Sequence, residues 1–223
     1  MSVKSALCAL FVLAAAVDLL SLAVGFEPGH TVAKPLLMPL LAGWAARCGA
    51  PRLLVAALLC GWGGDTLLLF DADAAFLAGM ASFAVGHVCY LVLFIRAGRS
   101  RAGALLLVPC YAVALITTVL LLLPGLPAEL RLPVAVYSTL LTAMACTAAA
   151  RLGPVAGAGG ALFLLSDTLI ATGVADWPQP PRPDLWIMLT YLAAQVLLVR
   201  GSLGERRPTG ERADSRQALA GPG

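Results

Sequence analysis

Eight apolar runs, separated by short polar turns, constrain this chain more than any other feature. A helix needs about 20 apolar residues to cross the hydrocarbon of a bilayer. Only helices and closed barrels satisfy their own backbone polar groups there. The runs cover residues 5–24, 30–46, 52–70, 75–95, 103–123, 131–150, 154–173 and 185–203. The second is the weakest, being short and carrying Lys34, Pro35 and Pro39. It survives as a span if Lys34 snorkels to the interface. Composition agrees. The 223 residues are 60% hydrophobic and 12% charged, against about 25% charged in soluble domains. A soluble globule of this size cannot hide so much apolar surface. Disorder, a collagenous fibre and a soluble two-domain enzyme are excluded.

Charge sets the expected orientation. With eight spans and a cytoplasmic N-terminus, the inner side holds Lys4, Arg47, Arg52, Arg96, Arg99, Arg101, Arg151, Arg200, Arg206, Arg207, Arg212 and Arg216. The outer side holds Lys34, Arg131 and Arg182. This asymmetry follows the positive-inside rule, and removing the second span would weaken it. The expected fold is therefore all-α: a polytopic membrane protein, a bundle of eight transmembrane helices over residues 1–203, with both termini cytoplasmic. Residues 204–223 are polar and rich in Gly, Pro and Arg, and read as a disordered cytoplasmic tail. Lys4 before an apolar run imitates a signal peptide, but Asp18 interrupts the run and no clear A-x-A site follows. The net charge of +3 does not suggest nucleic acid. The chain has no Asn, which excludes N-glycosylation. Its wealth of Ala, Leu, Gly and Arg points to a high-GC genome and a bacterial cell membrane.

Six cysteines are present without any CxxC pair. They read as small core residues facing other helices. The Gly157–Gly160 region reads as a close helix-packing surface. The run 96–101 is a basic turn that fixes topology.

Ionisable groups inside a bilayer are costly, so they are functional candidates by default. Asp18, Asp65 and Asp167 fall five or six residues from the outer ends of spans one, three and seven. At 1.5 Å per residue they share a level roughly 8–9 Å below the outer boundary. Tyr137 and Tyr191 come in to a similar depth, Gln195 lies one turn below Tyr191, and His87 is nearer the middle of span four. Lys34 enters from the same side. This suggests a polar cavity open toward the outer leaflet. A structural alternative pairs Asp18 with Lys34 and leaves the other acids hydrogen-bonded across helices. Two acids brought together out of water divide into a protonated and an ionised partner. Such a pair suits hydrolysis through an oxocarbenium-like state.

Other chemistries fit less well. Two histidines, His30 in the first outer loop and His87, cannot make a three-histidine zinc site, and no HxxxH spacing occurs. No metal or other cofactor is expected. There is no GxSxG elbow. Ser166 beside Asp167 is no dyad, because helix neighbours point about 100° apart. Gly64-Asp65-Thr66-Leu67-Leu68 echoes Ser166-Asp167-Thr168-Leu169-Ile170, as a four-plus-four duplication would.

Several short motifs occur in order. They are Lys34-Pro35, Gly64-Asp65, Phe83-x-x-Gly86-His87-x-x-Tyr90, Gly160-Ala161-x-Phe163-x-x-Ser166-Asp167 and Tyr191-x-x-Ala194-Gln195. In this the chain resembles the YhhN family of membrane proteins, from about Val32 to Leu203. The resemblance implies a lysoplasmalogenase activity, hydrolysis of a vinyl ether lysolipid to a fatty aldehyde and a glycerophosphoethanolamine or glycerophosphocholine. It implies Asp65 and Asp167 as catalytic groups, the two that depth had selected. Lys34, His87, Tyr191, Gln195, Asp18 and Tyr137 would bind or orient the lysophospholipid or water, with Lys34 at the phosphate. The competing expectations are a transporter or flippase of a small amphiphile and, behind it, a non-catalytic scaffold.

Overall fold

The computed structural model describes residues 2–97 and 106–204. Arg99, Arg101, the start of the fifth predicted span and the tail from 205 onward lie outside the described residues. Among those described, the chain forms eight α-helices and no strand: α1 (Val3–Val24), α2 (Glu27–Arg47), α3 (Arg52–Leu67), α4 (Asp73–Ala97), α5 (Leu107–Leu122), α6 (Ala128–Leu152), α7 (Pro154–Val174) and α8 (Pro183–Gly204). Five of them, α1, α4, α6, α7 and α8, are long and apolar enough to cross a membrane. The protein is an integral, multi-pass membrane bundle.

Consecutive helices pack as neighbours from α1 to α4 and from α5 to α8, with α4 also against α6 and α1 against α8. The start of α8 meets the end of α1, where Arg182 Nη1 donates to Leu22 O at 3.1 Å. These two helices are therefore antiparallel, and the start of α1 shares a side with the end of α8. At the opposite end, Arg151 Nη1 donates to Ile95 O at 3.1 Å and ties α6 to α4. The main core is apolar and runs through the middle of the bundle, with Leu37, Met38, Leu54, Leu58, Phe94, Met144 and Leu198 all buried. The Gly157–Gly160 surface does pack closely. A Cβ on Gly160 would stand 2.7 Å from Ala145 Cα of α6, and one on Gly159 would stand 2.9 Å from Leu198 N of α8.

Several expectations need correction. The helix that looked weakest is 21 residues long and includes both Pro35 and Pro39. Its residues Leu37, Met38, Leu41, Ala42 and Ala45 are buried between α1 and α3. Tertiary packing thus offsets the backbone hydrogen bonds the prolines remove. Pro35 and Pro133 lie inside helices, because α2 and α6 begin three residues earlier than hydropathy suggests. His30 is buried in the first turns of α2 and does not lie in a loop. In contrast, α3 stops at Leu67 although apolar residues continue to Phe70, since the chain must turn into α4 by Asp73. Asp65 therefore lies two residues from the end of α3, not five. The cysteines are less buried than expected, with Cys8 and Cys110 exposed and the other four half-buried, all free, although Cys60 faces Gly86 of α4 and Cys89 packs against the core. A thiol is apolar enough to sit on a lipid-facing flank.

Candidate active site

The polar residues gather into two hydrogen-bonded chains, each ending on a carboxylate. In the first, Tyr90 of α4 donates its hydroxyl to Gln195 Oε1 of α8 at 2.6 Å. Gln195 Nε2 donates to the Tyr191 hydroxyl oxygen one turn away at 3.2 Å. Tyr191 then donates to Asp65 Oδ2 at 2.8 Å. In the second, Tyr137 of α6 donates to Asp167 Oδ2 of α7. With that proton committed, the Tyr137 oxygen accepts from His87 Nε2 at 3.0 Å. His87 thus carries its hydrogen on Nε2, and its Nδ1 is buried without a partner.

Sequence explains how these groups come within reach. Gly61 and Gly64 flatten one face of α3. A Cβ on Gly64 would lie 2.4 Å from the Phe83 ring, and one on Gly61 would lie 3.1 Å from the Tyr191 hydroxyl. The absent side chains let α4 and α8 close on Asp65. His87 and Tyr90, three residues apart, share one face of α4, and so each chain starts from the same helix.

An aromatic wall stands between the two carboxylates. Phe83, Phe163 and Tyr191 meet edge to face, with centroids 5.4–6.4 Å apart. The His87 ring stacks its edge on Phe163 at 4.8 Å. Perpendicular packing of this kind is the favoured geometry of aromatic pairs. It holds the imidazole and the phenol in fixed orientations.

Beside the wall lies a cavity of about 220 Å³ between α5 and the surface of α4, α6 and α7. Its lining is mostly apolar, including Phe83, Leu141 and Leu164, and Asp167 is the one carboxyl group in it. Tyr137 also lines it. Asp167 and Tyr137 are half-buried, whereas Asp65 is 2% exposed and sits behind Phe83. Leu68, one turn beyond Asp65, reaches the cavity. Asp65 is close enough to act on Asp167 electrostatically.

The remaining predicted site residues divide differently. Asp18 does not pair with Lys34. It is fully buried and accepts from, or shares a proton with, His30 Nδ1 at 2.8 Å, leaving Oδ2 without a partner. The reason is reach: His30 sits on the first buried turn of α2, and α1 and α2 pack tightly there. A Cβ on Gly29 would lie 2.1 Å from Ser21 Oγ. Lys34 is half-buried and within electrostatic range of Asp65, but no ion pair joins them. Neither Lys34 nor Asp18 lines the cavity. Ser166 turns away, donating to Ile187 O at 3.1 Å. No three His, Cys, Asp or Glu side chains come together as metal ligands among the described residues.

Sequence reasoning gave no site role to four participants. Tyr90 links Gln195 to α4, and its spacing from His87 was the available signal. His30 was mistaken for a loop residue. Phe83 and Phe163 form the wall; they stood in the motifs that carry the family resemblance, but residue type and hydropathy do not separate them from ordinary core.

A helical bundle with a carboxylate in the lining of a mostly apolar cavity, and span-capable helices around it, defines a polytopic membrane protein with a buried polar centre. The chain belongs to the YhhN family, which it matches over residues 29–202. It is similar to the lysoplasmalogenase TMEM86B of Homo sapiens, 39% identical over 157 residues, which is 70% of this chain and 65% of that protein. The rat counterpart, from Rattus norvegicus, is 37% identical over 174 residues, 76% of this chain and 70% of the relative. A lysoplasmalogenase of Mycobacterium tuberculosis is 33% identical over 159 residues, 67% and 60% respectively. The chain thus spans just under two thirds of the human relative's length. Mammalian and mycobacterial relatives occur together, so they do not bear on the expected bacterial membrane. No solved structure matches the chain.

Proposed function

We propose that this protein is an ether hydrolase of the lysoplasmalogenase type. It would cleave the vinyl ether of an alkenyl-glycerophosphoethanolamine or -choline to a fatty aldehyde and a glycerophospho-base. The observation that carries the reading is the cavity, a mostly apolar space into which Asp167 presents the single carboxyl group of the lining, beside the Tyr137 hydroxyl. The names of the relatives agree with it.

The chemistry is acid–base. Protonating the carbon of the vinyl ether distal to oxygen gives an oxocarbenium ion. Asp167 donates that proton from Oδ1, the oxygen that Tyr137 leaves free. The resulting carboxylate takes a proton from the attacking water, and the acid is restored. The hemiacetal then collapses: its hydroxyl loses a proton, the ether oxygen gains one, and aldehyde and alcohol separate. Positioned proton transfer of this kind contributes about 10²–10⁴-fold. Tyr137 and His87 fix the Asp167 carboxyl. Asp65 supplies negative charge behind Phe83 that stabilises the cation, which weakly screened surroundings strengthen. Tyr191 and Gln195 hold Asp65.

The test uses purified protein in detergent with 1-alkenyl-lysophosphatidylethanolamine, following free aldehyde. Wild type releases aldehyde, and Asp167→Asn, eluting as wild type does on size exclusion, does not. Full activity in that variant would overturn the assignment. Unchanged lipid would turn attention to transport.

A further inference from the structure

The expected phosphate ligand was Lys34, but Lys34 does not line the cavity. Three cations belong to the outer side by charge pattern. Arg182 is engaged at the end of α1. Lys34 sits among Asp65, Asp18 and His30. Arg131 differs from both. It lies in the first turn of α6, the helix that presents Tyr137, Leu141 and Thr142 to the cavity.

Arg131 is exposed, and its Nε donates to Leu126 O at 3.2 Å. Leu126 belongs to a small buried cluster with Leu122, Val134 and Ala175. Leu122 and Val134 also line the cavity. The guanidinium is thus pinned by one nitrogen over the outer end of the cavity. No hydrogen bond or ion pair to its two Nη groups is present among the described residues. A cation in a helix's first turn also opposes the macrodipole, so the position gains little from the helix itself.

The spacing suits a glycerophospholipid. Arg131 and Tyr137 are six residues apart, about 9 Å along α6. In the lipid, phosphorus stands about five bonds, roughly 6 Å, from the ether oxygen. A hydrogen bond from guanidinium to phosphate covers the remaining ~3 Å. With the phosphate at Arg131, the ether reaches the level of Tyr137 and Asp167. The chain then runs inward past Leu141 and Leu164, as a lipid in the outer leaflet does.

We propose that Arg131 is the phosphate anchor of the substrate site, pairing its free Nη groups with the phosphate oxygens. This rests on the reading of the cavity as a lysophospholipid site. Two probes test it in detergent: 1-O-alkyl-glycerophosphoethanolamine, whose saturated ether is not cleaved by this chemistry, and 1-O-alkylglycerol of equal chain length, which lacks phosphate. Wild type binds the phospholipid more tightly. Arg131→Gln binds it about tenfold more weakly and binds the alkylglycerol as wild type does. Equal loss on both probes, no loss on either, or a wild type indifferent to phosphate overturns the proposal. Should Arg131→Gln fail to fold, Arg131→Met keeps the apolar stem and gives the same reading. Binding does not depend on turnover. A wild type that prefers the phospholipid through Arg131 yet releases no aldehyde from the alkenyl lipid would remove the hydrolase reading and leave the anchor.

Discussion

Asp65 and Asp167 begin from nearly the same five-residue phrase, yet they end in different surroundings. Both accept a tyrosine hydroxyl. Asp65 is sealed among α3, α4 and α8, behind Phe83, with Lys34, Asp18 and His30 in electrostatic reach. Asp167 opens on an apolar cavity. Their tyrosines come from α8 and α6, which are not equivalent positions of a four-plus-four repeat. The contrast teaches that a shared local sequence places a carboxyl at a similar depth, while neighbouring helices decide whether it meets a ligand or a charge network.

That contrast can be broken most directly at the carboxyls. Asp167→Asn is expected to lower aldehyde release by about 10³-fold or more, the scale of lost proton transfer. Asp65→Asn, removing charge at one remove, should cost about 10–100-fold. Rates measured side by side decide it, and equal losses would mean that both groups meet substrate. Next come the tyrosines. Tyr137→Phe frees Asp167 and leaves His87 Nε2 without an acceptor, and should slow turnover about tenfold. Tyr191→Phe should slow it severalfold less, because it acts on Asp65 alone. A smaller effect is expected farther along the sealed chain. Tyr90→Phe leaves Gln195 Oε1 unpaired and should lower stability by about 1–2 kcal/mol, read by thermal unfolding in detergent, with turnover changed only slightly. Smallest of all, EDTA should leave aldehyde release unchanged. Release abolished by chelation would point to a metal held by groups that the two hydrogen-bonded chains do not use.

Much of this was legible in the chain. Apolar runs marked the eight helices found among the described residues, and five of these meet the length that bilayer thickness imposes. The cost of burying polar groups made Asp65, Asp167, His87, Tyr137, Tyr191 and Gln195 conspicuous, and the one-turn spacing of Tyr191 and Gln195 put within reach two groups that the structure finds bonded. Depth was less legible than residue type. It was counted from the ends of apolar runs, and α3 ends earlier than its run does, so Asp65 lies closer to its helix end than hydropathy suggested.

Partners were another matter. Asp18 joins His30 and not Lys34, because α2 starts three residues earlier than hydropathy indicated and carries His30 into the bundle. Lys34 does not line the cavity for a related reason: α2 packs between α1 and α3 and contributes no residue to it. A helix's hydropathy states that it is in the membrane, and its periodicity states which residues share a face. Neither states which helix that face will meet.

By itself, then, the sequence determined a helical membrane bundle, its span order and a short set of costly polar residues. These follow from local terms: hydrophobic length, backbone satisfaction and the price of buried charge. Only the tertiary structure decided that Asp167 faces an apolar cavity while Asp65 does not, and that Arg131 bonds to Leu126, whose cluster shares Leu122 and Val134 with that cavity. Those facts depend on which helices touch. That choice is made by shape complementarity at positions such as Gly64 against Phe83 and Gly160 against Ala145, where the absence of a side chain lets two distant segments meet.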